Sequence, residues 1–450
     1  MIKKNDDIKL KIDSLSNDGN GVGRYENLVI FVPETVVGDE IIAHIVKVKK
    51  TYAFAIVKEL IKSGKSRIEA DCAVSKSCGG CVFRHMAYAV ELEAKKGFVN
   101  SALERIAKSD LRAEEILSAS PERYRNKAQY PLRKESGRIK AGFFASRSHR
   151  VIECDDCKLQ PEIFSLIKNE VVCFAEKNNI SVYDELSHTG LLRHIFLRQS
   201  KDGGQIALCL VINGESLPLS DDFVAVFTKK FPQIKSVTLN INKEKSNVIL
   251  GGEYINLFGD GYIEDELLGK RFKINAPSFY QVNRTMCEKL YLKAAEYADL
   301  KEGETLIDLY CGIGTVGLCV AGKNNKLIGI EVVPEAIVSA KENARLNSFD
   351  NAEFIAADAS EATELLKSKG IKADCVIVDP PRKGCDEKTI RNIASFNPSR
   401  AVYISCNPAT LARDLVLFES LGYKAEKACT ADMFPRTAHV ETVVLLSRKY

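Results

Sequence analysis

The chain has 450 residues, 45% hydrophobic and 28% charged, the balance of an ordinary globular protein. Its 64 basic and 60 acidic residues leave a net charge of +4, so bulk charge neither requires nor excludes a nucleic-acid partner, and local patches must decide. No apolar run approaches the roughly 18 residues of a membrane span and MIKKNDDIKL lacks a signal-peptide core, so a cytoplasmic protein is expected, whose 14 cysteines act as thiols, metal ligands or nucleophiles rather than disulfides.

The length predicts about three domains. Residues 1–62 form the first, with short alternating runs KLKIDSL, NLVIFVP, DEIIAHIVKVKK and YAFAIVKEL separated by glycine turns. That spacing predicts a small OB-like β-barrel. Lys47, Lys49, Lys50 and Lys58 either line an RNA-binding face or guard a solvated strand edge.

Residues 63–270 form the second, an α+β region. CAVSKSCGGC places Cys72, Cys78 and Cys81 within ten residues, with Gly79 and Gly80 letting the backbone wrap, and ECDDCKLQ adds Cys154 and Cys157. Three such thiols call for a shared metal; a fourth completes either a four-iron cluster or a four-cysteine zinc site, and spacing leaves open whether Cys154 or Cys157 supplies it. Residues 85–108 carry helical periodicity. The run from Pro121 to Arg150 then sets Arg123, Arg125, Lys127, Arg133, Arg138 and Arg147 among Tyr124, Tyr130, Phe143 and Phe144. Cations interleaved with aromatic faces suit single-stranded RNA; a solvated sheet face is the alternative. Arg193, His194 and Arg198 make a weaker basic cluster.

From 271 to 450 the rhythm becomes strand and helix in alternation. A helix is expected over PSFYQVNRTMCEKLYLKAAEYADL, then strands TLIDLY, KLIGIE, EFIAAD, CVIVDPP and AVYISC with helices between them. This is a doubly wound, Rossmann-like parallel sheet. The terminal runs YKAEKACTAD and VETVVLLSR have no helix between them, and the reversed strand they imply is typical of class I S-adenosylmethionine-dependent methyltransferases.

Gly312, Gly314 and Gly317 spell G-x-G-x-x-G after a strand, and Glu331 ends the next strand where an acid holds ribose hydroxyls. NAD would fit that pattern too; Asp308, Asp358 and the terminal β pair favour S-adenosylmethionine. Asp379-Pro380-Pro381 is followed by Arg382 and not by an aromatic residue, which argues against amine methylation. A pyrimidine C5 becomes nucleophilic only after a thiolate adds at C6, and a base must then remove the C5 proton. Cys406, at the end of the strand before SCNPATLARD, is the candidate nucleophile. Glu441, entering the last apolar strand, is the candidate base with His439 as its rival.

Together CGGC, YRNKAQY, SFYQVN, DLYCGIGTVGL, DPPRKG, SCNPATLARD and DMFPRTAHVETV resemble the RNA (uracil-C5)-methyltransferase family, in its 23S ribosomal RNA branch with an N-terminal TRAM barrel and an iron-sulfur cluster. The resemblance implies Cys406 as nucleophile and Glu441 as base. It also implies cofactor contacts at Gln281, Tyr310, Glu331, Asp358 and Asp379, and [4Fe-4S] ligands at Cys72, Cys78, Cys81 and Cys157. Thr315 departs from relatives that carry a cofactor-contacting asparagine there. The transfer-RNA branch resembles the catalytic half without barrel or cluster, so those features point to ribosomal RNA. A non-catalytic RNA-binding module is the alternative of another class, and nothing in the sequence calls for more than a monomer.

Overall fold

The computed structural model describes residues 2–146 and 148–449. Asp7–Leu15, Gly21–Tyr25, Leu28–Val32, Glu40–Val48 and Tyr52–Lys62 close into a barrel whose fifth strand lies between the third and fourth. The period-two pattern explains it: Ile8, Leu10 and Ile12 point into the core with Ile41, Ala43 and Ile45, while Lys9 and Lys11 face water. Lys47, Lys49 and Lys50 stand exposed near the turn between the last two strands. Lys58 instead pairs with Asp7, which also bonds His44 Nδ1 at 2.8 Å.

The middle of the chain builds a seven-stranded sheet. Its spatial order is Glu253–Phe258, Ile234–Ile241, Ile206–Ile212, Leu192–Gln199, Lys127–Glu135, Arg138–Phe144 and Val151–Glu153. Helices Glu162–Lys177 and Ser220–Lys230 bury Phe164, Ile167, Phe223 and Phe227 against it. Parts of the expected RNA run are spent on this packing. Tyr130 is in the core, with its hydroxyl on Gln160. Arg123 forks onto Asp156 and donates to the carbonyls of Cys157 (3.0 Å) and Gln160 (2.9 Å). Arg193 and Arg198 are buried, holding the carbonyls of Asn242, Glu244, Asn275 and Ser278. Arg147 lies outside the described residues.

The third sheet has eight strands: Ala352–Ala356, Lys326–Glu331, Thr305–Leu309, Cys375–Val378, Arg400–Ser405, Glu441–Arg448, Tyr423–Ala431 and Ala113–Leu117. The first five are parallel, and Glu441–Arg448 runs antiparallel between Arg400–Ser405 and Tyr423–Ala431, as the helix-free ending predicts. The chain reverses its order of building between Thr305–Leu309 and Cys375–Val378, the switch point where such sheets bind ligands.

Two boundaries differ from the sequence reading. Ala113–Leu117 adds to the edge of this third sheet, and helix Tyr88–Arg105 packs on helix Pro408–Ser420, so residues 88–117 join the C-terminal unit. Val99 and Leu103 supply the cause, since they are fully buried in the same core as Ile307 and Leu411. The hairpin Tyr262–Leu267 and Lys270–Asn275 also packs there through Ile263 and Phe272. The helix expected from 277 begins at Arg284, because Asn283 caps it by accepting the Met286 amide at 3.2 Å.

Candidate active site and cysteine cluster

Cys406 follows strand Arg400–Ser405 and precedes helix Pro408–Ser420, whose start is fixed by Pro408 and by Asn407 accepting the Ala409 amide at 3.0 Å. The register sets Ser405 opposite Thr442, and the Glu441 carboxyl is close enough to act on the Cys406 thiol, so the antiparallel insertion is what brings the two together. Asp379 ends the neighbouring parallel strand, and Arg382 reaches across to His439 Nε2 at 3.0 Å. A cavity of about 140 Å³ opens on Cys406, Arg382, Asn407 and His439.

The electrostatics separate the two candidate bases. Glu441 is 5% exposed, and burial, reinforced by the Asp379 carboxylate and opposed by Arg382, pushes its pKa up to about 8. Burial and the Arg382 charge push His439 down. A carboxyl poised near neutrality accepts a proton better than an imidazole turned toward a guanidinium. Burial, then the carboxylates of Glu441 and Asp379, push the Cys406 thiol up to about 11, while Arg382 favours the thiolate. The resting thiol is therefore protonated.

Four acceptors stand along the carboxyl ends of the parallel strands. Glu331 accepts the Gly312 amide at 3.2 Å and the Val333 amide at 3.0 Å, bracing the glycine turn. Gly312 and Gly314 have φ of +54° and +83°, and Tyr310 has +67°, a cost for a non-glycine residue at the strand end. Asp308 takes the Gly317 amide at 2.8 Å but keeps Oδ1 buried without a partner, and burial pushes its pKa up to about 8. Asp379, raised by burial to about 7, lies next along the sheet. Asp358 is exposed and caps helix Ala359–Ser368 through the Ser360 amide at 2.9 Å. Gln281 is buried, its carbonyl taken by Asn126 Nδ2 at 3.0 Å. This set of acids around a tight glycine turn fits a cofactor with hydroxyls and an amino group, and needs no phosphate contact.

Cys72, Cys78, Cys81, Cys154 and Cys157 line one cavity of about 210 Å³, rimmed by Arg84, Arg125, Lys127 and Lys158. Among the described residues, no three potential ligands are spaced to hold a single ion. The cations match the negative charge that thiolates carry. The Cys154 hydrogen bond, the backbone amides of Leu159 and Gln160 and the nearby Arg125 outweigh burial and bring Cys157 down to about 7. Cys154, the donor in that pair, is held protonated. Gly79 leaves no room for a side chain, since a Cβ there would meet the Ser146 backbone at 2.9 Å.

Two lining residues of the Cys406 cavity carry no recognisable signal in the sequence. Asn17 comes from the first barrel turn and Phe98 from helix Tyr88–Arg105. Only the docking of barrel and helix onto the catalytic sheet puts them there.

A family model described as tRNA (uracil-5-)-methyltransferase matches residues 87–449, and a TRAM domain model matches residues 4–58. An uncharacterized RNA methyltransferase of Halalkalibacterium halodurans is 42% identical over 450 residues, covering 100% of this chain and 98% of that one. Another, from Clostridium tetani, is 42% identical over 447 residues, covering 99% and 97%. Among solved structures, the Pyrococcus abyssi tRNA (uracil-54, C5)-methyltransferase in complex with S-adenosyl-L-homocysteine superposes with a TM-score of 0.78. It is 28% identical and covers 97% of this chain and 99% of that chain.

Proposed function

The chain belongs to the tRNA (uracil-5-)-methyltransferase family and is an S-adenosylmethionine-dependent RNA methyltransferase with a TRAM domain, and from that premise we propose that it forms 5-methyluridine in 23S ribosomal RNA through a covalent adduct at Cys406. The observation that supports the chemistry is the Glu441 carboxyl lying close enough to act on the Cys406 thiol, each just past the Ser405 to Thr442 cross-strand pair. Gln281, Tyr310, Glu331, Asp358 and Asp379 would hold the cofactor, which would supply an electrophilic methyl group.

The target uracil must leave its stack, because sulfur attacks C6 from above the ring. Cys406 Sγ gives its proton to solvent and bonds to C6, and the electron pair of the C5–C6 double bond moves toward C5 and O4. Arg382 and the start of helix Pro408–Ser420 favour the thiolate that attacks. C5 would take the methyl group as its bond to the sulfonium sulfur breaks, leaving S-adenosylhomocysteine. Glu441 then removes the C5 proton, the C5–C6 double bond re-forms and the C6–S bond breaks, which returns the thiolate.

For the cluster, Cys72, Cys78, Cys81 and Cys157 are the ligands of a [4Fe-4S] centre whose role is structural. The convergent thiols and cationic rim support this reading. A four-cysteine zinc site is the competing assignment.

The ribosomal target rests on the motif resemblance of the sequence. Transfer RNA is a second reading, favoured by one observation: the P. abyssi structure, named for a transfer RNA target, covers 97% of this chain. Barrel and middle domain therefore do not by themselves select ribosomal RNA. The test is to incubate the protein and Cys406→Ala with 23S and transfer RNA containing 5-fluorouridine, plus S-adenosylmethionine, and run a denaturing gel. Fluorine at C5 cannot be abstracted, so wild type should trap one RNA and the variant none. No adduct with either RNA would sink the covalent reading.

A further inference from the structure

The base begins the last strand, but the loop before it is held from elsewhere. Each residue from Asp432 to Arg436 makes a hydrogen bond outside the loop. Asp432 accepts from Lys95 Nζ (2.6 Å) and Tyr88 Oη (2.8 Å), and the Met433 carbonyl accepts from Asn283 Nδ2 (3.1 Å). The carbonyls of Phe434 and Pro435 accept from Lys95 Nζ (3.1 Å) and Tyr124 Oη (3.0 Å). The Arg436 carbonyl takes the amides of Val82 (2.8 Å) and Phe83 (3.2 Å), the two residues after Cys81.

Glu91 is the centre of this arrangement. It is fully buried, bonds Lys95 at 2.8 Å, accepts the Arg436 amide at 2.6 Å and lies 3.4 Å from Arg436 Nη1. Arg436 has φ of +69°, a conformation that costs a non-glycine residue on the order of 1–3 kcal/mol and persists only where the surroundings over-determine it. Lys95 pairs with both Glu91 and Asp432, and Arg436 with Glu91, an arrangement of buried charges that is expensive to assemble. Three residues after that strained turn His439 meets Arg382, and two further on stands Glu441.

We propose that Glu91 and Tyr124 are positioning residues that hold the 432–440 loop so that Glu441 stays beside Cys406, which ties proton removal to the backbone segment leaving the cysteine cluster. The proposal rests on the covalent reading above. Methyl transfer needs Cys406 and cofactor but not Glu441, so loosening the loop slows release of the adduct without slowing its formation.

The test uses the full chain with 23S RNA from cells lacking the protein, bearing ordinary uridine. Covalent adduct and free 5-methyluridine are measured after denaturing quench. Tyr124→Phe, which deletes one hydrogen bond and keeps the ring, should release product about fivefold more slowly, with adduct forming at the wild-type rate. Glu91→Ala should be slower still, and Glu91→Gln, which keeps an acceptor for the Arg436 amide, should recover part of the loss. Hydrogen exchange over 432–440 gives a readout independent of RNA: Tyr124→Phe should exchange faster there, with the strand Arg400–Ser405 unchanged. Wild-type protection and wild-type release in Tyr124→Phe would overturn the proposal, as would equal slowing of adduct formation and release. Failure of wild type to trap fluorinated RNA, with the exchange result as expected, would instead indict the covalent reading.

Discussion

Replacing Glu441 with glutamine should make the protein more stable and less able to finish its reaction. The carboxyl is 5% exposed and its pKa is raised from the ordinary 4.5 to about 8, mainly by burial. At about 1.4 kcal/mol per tenfold change in proton affinity, keeping that carboxylate charged in the fold costs at most about 5 kcal/mol at high pH. The sign follows from proton uptake: between 4.5 and about 8 the folded protein holds a proton that the unfolded chain releases. Stability due to this group is therefore full below 4.5 and is lost as pH rises to about 8. Glutamine cannot lose a proton, so the advantage of Glu441→Gln should grow from about 2 kcal/mol at pH 6 to about 5 kcal/mol at pH 9. Urea denaturation of the cofactor-free proteins at both pH values measures it. Groups common to both proteins cancel in the difference. The same variant should accumulate covalent adduct on ordinary uridine RNA, and wild-type turnover should rise with pH toward about 8. A pH-independent stability difference would refute the buried-carboxyl reasoning, and rapid product release by the variant would refute the assignment of the base.

Cys81→Ala should abolish the visible absorbance of anaerobically purified protein; a colourless wild type carrying zinc would remove the iron assignment. Arg123→Ala should lower stability by on the order of 2 kcal/mol, because Asp156 and the Cys157 and Gln160 carbonyls would each lose a donor. Its salt dependence of RNA binding should match wild type, and a shallower slope would return Arg123 to the RNA surface. Replacing Lys49 and Lys50 by alanine should flatten that slope by about 0.7 for each phosphate that a lysine no longer neutralises, with cofactor affinity by calorimetry unchanged. Gly317→Ala puts a methyl 2.7 Å from Leu327 and 2.8 Å from Asp308. It should cost about 1–3 kcal/mol and weaken cofactor binding measured by calorimetry, while RNA binding persists.

Local pattern revealed much of this molecule. Alternation in Asp7–Leu15 marks a barrel strand because its period is that of the pleat, and the glycine turn after Thr305–Leu309 marks a ligand loop because its backbone needs positive φ. Cationic residues were harder to read. Arg123 and Arg193 look like RNA contacts in sequence, yet each holds backbone carbonyls inside the fold. A guanidinium suits phosphate and carbonyl alike, and only its neighbours decide between them. Asp358 shows the same ambiguity, an acid expected at the cofactor that also caps a helix.

Sequence by itself marked the element types, the cysteine loop and the candidate residues Cys406, Glu441, Asp379 and Glu331, because each depends on residue type and spacing within a short stretch. Tertiary structure alone decided what meets across the chain. It set Ala113–Leu117 on the far sheet, Asn17 and Phe98 at the Cys406 cavity, and Glu91 beneath Arg436. Those meetings join residues up to hundreds of positions apart, and their energy comes from burial and hydrogen bonding that exist only once the units dock.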